Sequence, residues 1–314
     1  MSTPRSLRMS QHVRPLVVDT PRGLFAALTA GPAGGISERQ AALLVPGFTG
    51  SKEDFLAIVE PLGTAGRSVV AIDMRGQYQS PRAPSAAGYK LDQLAADLVA
   101  VASSVANDGG RVHLVGHSFG GLVARQAALA APSAFFSLTL LGSGPGTIAG
   151  ARAHALTELL DFLAPAGSDI DQLAGKISQL WTDQLRPQAE ADGTSVEVIE
   201  FLGERTRLSC PLGLAEMARE LLNCADRTDE LAMLEHLPKL VSYGENDDAW
   251  PPDAQDMMAK RLGAERICIP GAAHSPAVEA PETTAAMLTA FWNRSELGDQ
   301  LPDRAAGEHV RDDP

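Results

Sequence analysis

The sequence has 314 residues, 45% of them hydrophobic and 21% charged, with a formal net charge of −13. That length fits one large α/β domain carrying an insertion, the reading adopted first, or two smaller domains, with enough apolar residue for a sizeable core, and the balance argues against a wholly disordered chain. So acidic a chain lacks the clustered Lys and Arg that a phosphate backbone or an anionic lipid surface requires, which argues against nucleic acid as a partner.

The first residues, "MSTPRSLRMSQHVRPLVV", are basic but hold no apolar run before Pro15. No stretch is apolar for long enough to cross a bilayer, so neither secretion nor membrane insertion has a signal and a cytoplasmic location is expected. Two short strands, near Val13–Asp19 and Gly23–Ala30, are expected to form an antiparallel edge. Beyond them, short apolar runs that close on Gly, Pro or Asp alternate with longer segments of helical period. The runs are residues 41–47 (AALLVPG), 68–74 (SVVAIDM), 111–117 (RVHLVGH), 135–142 (FFSLTLLG), 237–244 (LPKLVSYG) and 265–271 (ERICIPG). Helices are predicted over Glu53–Leu62, Leu91–Asn107, Phe119–Ala130, Pro252–Leu262 and Ala280–Asn293. This alternation predicts a mostly parallel central sheet flanked by helices.

Between residues 150 and 234 the strand rhythm stops, and segments such as "ARAHALTELLDFLAPAG" and "DIDQLAGKISQLWTDQLR" carry apolar residues at helical spacing. The predicted organisation is a core of residues 1–149 and 235–294, an inserted helical lid of residues 150–234, and a polar, acidic tail of residues 295–314 expected to be disordered. Leucines, Phe162, Trp181 and Phe201 of the insertion first serve packing, and those facing the cleft imply an apolar pocket. Cys210, Cys224 and Cys268 form no C-x-x-C pair and no even framework, and read as buried thiols of a reducing compartment.

Gly116-His117-Ser118-Phe119-Gly120 matches G-x-S-x-G where a predicted strand ends and a predicted helix begins, the context that motif requires. The glycines remove Cβ atoms where backbone crowds, the serine Oγ stands above the sheet, and the helix N-terminus supplies N–H groups for developing negative charge. Gly-rich turns of this kind recur across α/β folds, so the motif alone does not make Ser118 a nucleophile. A serine hydroxyl needs a base, and the base an orienting acid. Both follow in order. Asp247 lies in "YGENDDAWP" and His274 in "PGAAHSPAVEAPE", each just past a predicted strand, where the carboxyl ends of parallel strands gather on one rim. Asp248 is the rival acid.

With these residues placed, the sequence resembles the α/β-hydrolase superfamily, in its lid-bearing esterase-like, haloperoxidase-like and C–C hydrolase-like subgroup. The resemblance covers roughly Arg14 to Arg294 and rests on "PGFTGSKEDF", "DMRGQYQS", "GHSFGG", "GENDDAWP" and "GAAHSP". It implies the α/β-hydrolase fold, Ser118 as nucleophile, His274 as general base and Asp247 as its orienter, since Gly244 and Pro251 bracket Asp247 in the pattern G-E-x-D-x-x-x-P and leave Asp248 aside. The backbone donors to an oxyanion would be Phe48 and Phe119. Two departures stand out. Pro46-Gly47-Phe48 occupies the place where relatives often carry His-Gly-X, which keeps the donor amide but removes a side chain that braces its loop. Tyr78 stands where D-x-R-G-x-G-x-S expects glycine, so it either reshapes that loop or reaches the pocket rim.

The remaining histidines read as packing or surface residues: His113 in a buried strand, His117 beneath the elbow, His154 and His236 in or near the insertion, and His12 and His309 near the termini. No cluster has metal-ligand spacing, and neither a metal nor an organic cofactor is implied. Ser51 is read as a helix cap, with Thr49 beside it. The expected function is a serine hydrolase acting on carboxylic esters of small or medium hydrophobic substrates. The alternatives are a C–C bond hydrolase or perhydrolase using the same three residues, and a non-catalytic small-molecule-binding member of the fold. Epoxide hydrolase and dehalogenase chemistry would need an Asp nucleophile in place of Ser118.

Overall fold

The computed structural model describes residues 2–32, 35, 37, 39–163 and 170–299. Its strands are β1 (Arg14–Thr20), β2 (Gly23–Ala30), β3 (Ala42–Val45), β4 (Val69–Ile72), β5 (Val112–His117), β6 (Phe135–Leu141), β7 (Lys239–Gly244) and β8 (Glu265–Ile269). They form one sheet in the order β1-β2-β4-β3-β5-β6-β7-β8. The β1–β2 and β2–β4 pairs are antiparallel, and every pair from β4 to β8 is parallel. Every residue of β3, β4, β5, β6 and β7 is buried, which is why these runs read as unbroken apolar stretches rather than alternating ones.

The helices are α1 (Leu56–Thr64), α2 (Leu91–Val105), α3 (Phe119–Ala130), α4 (Gly150–Leu163), α5 (Ile170–Leu180), α6 (Arg186–Ala191), α7 (Val196–Leu208), α8 (Pro211–Asn223), α9 (Thr228–Ala232), α10 (Pro252–Leu262), α11 (Pro276–Glu279) and α12 (Pro281–Asp299). A π-helical turn, Trp181–Leu185, joins α5 to α6. One face of the sheet packs against α2, α3 and α10 through Leu98, Leu122, Val123 and Met258, and the other against α1 and α12 through Ile58, Leu62, Leu288 and Trp292. All of α4 to α9 lie between β6 and β7 in the chain, so this helical segment stands next to the carboxyl end of the central strands.

Several elements differ from the sequence reading. The helix expected over Glu53–Leu62 is a 3₁₀ turn, Lys52–Phe55, followed by α1 to Thr64, with Ser51 at the N-cap of the turn. The turn is tight where the buried side chains of Lys52 and Asp54 are held by Asp73 and Arg205. Cys210 and Cys224 are buried but Cys268 is exposed, because β8 is the edge strand. The tail expected from Ser295 onward is corrected as well, because α12 runs on to Asp299. What holds it is Glu296, which accepts hydrogen bonds from Arg67 Nη1 (2.7 Å) and the Gln40 amide (3.2 Å), pairs with Arg39 (3.2 Å) and lies 3.1 Å from His113 Nε2. Residues 300–314 of that expected tail lie outside the described residues.

Candidate active site

The strand β5 ends at His117, α3 begins at Phe119, and Ser118 makes the turn between them with φ 55° and ψ −121°. It and Tyr78 (φ 34°) are the non-glycine residues with positive φ among the described residues, a conformation that persists only where its surroundings enforce it. The enforcement is backbone contact. The Ser118 amide donates to the Leu141 carbonyl at 2.9 Å, and a Cβ on Gly116 would lie 2.3 Å from the Gly120 carbonyl oxygen. Only glycine lets the strand and the first turn of α3 approach so closely.

The loops after β7 and β8 deliver the other two side chains. His274 Nε2 lies 2.9 Å from Ser118 Oγ, and His274 Nδ1 lies 2.9 Å from Asp247 Oδ1. The Asp247 carboxylate is sequestered and accepts two further hydrogen bonds, from the Ala249 amide (2.9 Å) and from Gln255 Nε2 (2.9 Å). With Asp247 accepting at Oδ1, Nδ1 carries the imidazole proton and Nε2 is left to accept from the serine hydroxyl. Asp248 turns away and pairs with Arg152 of α4 at 2.6 Å, with its side chain 64% exposed. His117 is buried beneath the elbow, and its Nε2 donates to the His274 carbonyl at 2.7 Å. Burial, with His274 alongside, pushes its pKa down to about 3, so this ring holds the His274 backbone as a neutral donor.

The two remaining candidates, Phe48 and Phe119, flank Ser118. Phe119 opens α3, and Phe48 follows Gly47, where a Cβ would lie 3.1 Å from that of Ser118. The Phe48 side chain is half-buried against apolar residues of the core and of α4, α5 and α8. Its loop is tied to the one after β4. Lys52 donates from its amide to Asp73 Oδ1 (2.8 Å) and from Nζ to Asp73 Oδ2 and Gln79 Oε1 (both 2.9 Å). Gln77, 1% exposed, donates from Nε2 to the Gly47 carbonyl at 2.7 Å and to the Phe48 carbonyl at 3.2 Å. Tyr78 points the other way, meeting Phe201 of α7 edge-on at 5.6 Å, with Lys52 Nζ 4.6 Å from its ring centre. It therefore shapes the loop and supports α7.

A family model described as the alpha/beta hydrolase family matches residues 42–287. The chain belongs to the alpha/beta hydrolase family. It is 38% identical over 137 residues to a protein provisionally named carbamate hydrolase RutD from Variovorax paradoxus, a match covering 43% of this chain and 49% of that one. It is 27% identical to the pimeloyl-[acyl-carrier protein] methyl ester esterase of Aeromonas hydrophila over 70% of this chain and 83% of the relative. The chain spans 49%, 63% and 43% of the length of three curated relatives that it matches. Among solved structures, a thermophilic esterase from Thermogutta terrifontis superposes with a TM-score of 0.68 at 22% identity, covering 90% of this chain and 99% of the other, a likeness of fold.

Three residues at the site have roles that no motif position announces. Gln255, from α10, fixes the Asp247 carboxylate, Gln77 grips the loop of Phe48, and Arg205 of α7 pairs with Asp54 at 2.8 Å with both side chains buried. The only hint of Gln255 is its place eight residues past the acid, and the other two lie 30 and 151 residues from their partners. Among the described residues no group of three or more His, Cys, Asp or Glu could hold a metal ion, and no helix is long and apolar enough to cross a membrane.

Proposed function

We propose that this protein is a serine hydrolase that cleaves carboxylic esters of small or medium hydrophobic substrates through an acyl-enzyme on Ser118. The observation that carries the reading is the unbroken chain from Ser118 Oγ to His274 Nε2 and from His274 Nδ1 to Asp247, both links 2.9 Å long. As Oγ attacks the ester carbonyl carbon, its proton passes to Nε2, and the Asp247 carboxylate stabilises the imidazolium. The carbonyl oxygen becomes an oxyanion held by the amides of Phe48 and Phe119, each such donor being worth about 3 kcal/mol in the transition state. When the tetrahedral species collapses, the imidazolium returns the proton to the leaving alcohol. Water then attacks the acyl carbon and gives a proton to Nε2. The second collapse releases the acid and restores Ser118.

In this reading residues 150–234 are the lid. Leu163, Leu173, Ile177 and Leu214 pack with Phe48 into a small apolar cluster of their own, which sets apolar side chains beside the Phe48 loop, a surrounding that suits an acyl chain and keeps bulk water from the acyl-enzyme. The name of the Aeromonas relative, a methyl ester esterase, is in keeping with it. The test is hydrolysis of p-nitrophenyl esters of increasing acyl length by the purified protein beside Ser118→Ala. Turnover that vanishes in the variant supports the serine mechanism, and the chain-length optimum sizes the acyl pocket. Absence of turnover across the whole series overturns the ester reading.

A further inference from the structure

We infer that Gln77 is a positioning residue that presents the Phe48 amide to the oxyanion, an inference that rests on the ester-hydrolase reading above. The argument begins with peptide geometry. The Gly47 carbonyl and the Phe48 N–H belong to one planar trans peptide unit and point in opposite directions. Whatever holds the carbonyl therefore aims the N–H. Gln77 Nε2 donates to that carbonyl at 2.7 Å and the Gly50 amide does so at 3.1 Å, so the oxygen is held on its inner side by a side chain and within its own turn by the backbone.

The side chain is itself held in one orientation. Gln77 Oε1 accepts from the Met74 amide at 3.0 Å, and since that amide can only donate, the oxygen of the Gln77 carboxamide faces Met74 and its nitrogen faces Gly47. Its second contact, Nε2 to the Phe48 carbonyl at 3.2 Å, ties down the following peptide too, so the donor residue is gripped on both sides. At 1% exposure the carboxamide is shielded from bulk water, and a buried carbonyl that lost it would be drawn to rotate toward solvent. That rotation turns the Phe48 N–H off the oxyanion position. Gly47 abuts Ser118, so a small tilt of this peptide acts directly on the attack geometry.

The backbone around Gln77 is built for this aim. Gly76 (φ 76°) and Tyr78 (φ 34°) bracket it in left-handed conformations, which send Gln77 inward toward Gly47 and Tyr78 outward toward Phe201. The strain at Tyr78 is thus spent beside the positioning side chain. It also explains how Pro46 is tolerated where relatives often carry histidine: the brace comes from the loop after β4.

Gln77→Glu and Gln77→Leu test the assignment, with Arg82→Ala as a control on the same loop, an exposed residue whose hydrogen bond goes to the Leu208 carbonyl. The glutamate keeps the acceptor for Met74 but turns an oxygen toward the Gly47 carbonyl. Both variants are expected to lose about 10-fold or more in kcat with KM within about 2-fold, part of the 10²- to 10³-fold carried by an oxyanion donor. Affinity for a trifluoromethyl ketone, which mimics the tetrahedral oxyanion, is expected to fall by the same factor as kcat. Gln77→Asn, with a shorter donor, is expected between them and the wild type and serves if the leucine variant fails to fold. Variants that turn over like the wild type, or that lose thermal stability while binding the ketone normally, overturn the inference. A wild type inactive on every ester removes the ester reading and this inference with it, whereas an active wild type beside equally active variants removes the inference alone.

Discussion

The Glu296→Gln substitution tests whether the end of α12 is a structural anchor. The Glu296 side chain is 12% exposed and Arg67, its partner, is fully buried. Burial alone would raise the carboxyl's pKa, but hydrogen bonds from His113 and Arg67 and the charge of Arg67 reverse this and bring it down to about 2 from the ordinary 4.5. A tenfold change in proton affinity is worth about 1.4 kcal/mol, so holding this carboxylate ionised contributes about 3 kcal/mol to stability near neutral pH. His113 is uncharged near neutral pH, because burial lowers its pKa to about 4, and only in the acid range does its charge join Arg67 in holding Glu296 ionised; Ser137 Oγ lies 2.7 Å from its Nδ1. Because the folded-state pKa is depressed, the contribution is complete above about 4.5, halves near pH 3 and is gone below about 2. At neutral pH Glu296→Gln is expected to lower Tm by about 5–10 °C in differential scanning fluorimetry, and the gap to wild type should close on acidification. Glu230→Gln, which disrupts an exposed pair with Arg227, should leave Tm unchanged. A Glu296→Gln Tm matching wild type at pH 7, or a gap indifferent to pH, would refute the reasoning.

Ser118→Ala is expected to cut ester turnover about 10³-fold or more while Tm stays level, because the alanine inherits the same strained turn; a melted variant would show the hydroxyl to be structural. Asp247→Asn should lower kcat about 10²-fold or more, since the new amide meets donors from Ala249 and Gln255, whereas Asp248→Asn breaks only a surface pair; the reverse ranking in steady-state kinetics would overturn the acid assignment. Arg205→Met strands the Asp54 carboxylate and should cost about 3–5 kcal/mol in urea unfolding, most of it recovered in Arg205→Met with Asp54→Leu. Equal destabilisation of single and double variants would mean that the pair is not coupled.

Legibility in the sequence followed how local each signal is. The strand runs and the Ser118 elbow were readable because a buried parallel strand and a tight strand-to-helix turn write themselves into five to eight neighbouring residues. Asp247 and His274 were readable because each follows a strand whose end has a fixed place on the rim. Gln77 and Arg205 were not, because a glutamine in a loop and an arginine on a helix look alike whether they face solvent or, as here, a carbonyl or carboxylate far away in the chain. The boundary at Arg294 failed for the same reason: "SELGD" is polar by composition, and its anchor lies 229 residues earlier. Cys268 was misread because the apolar run of β8 does not announce that one side of the strand lacks a neighbour.

Arg205 and Arg152 both join the helical segment to the sheet rim, but in different media. The Arg205–Asp54 pair is 1% and 2% exposed, while Arg152 and Asp248 are 35% and 64% exposed. Dissolved ions screen exposed charges over about 8 Å at physiological ionic strength and barely reach a buried pair. Ionic strength is therefore a directional variable for this fold: added salt loosens the α4 side, next to the loop of Asp247, while the α7 side stays tethered.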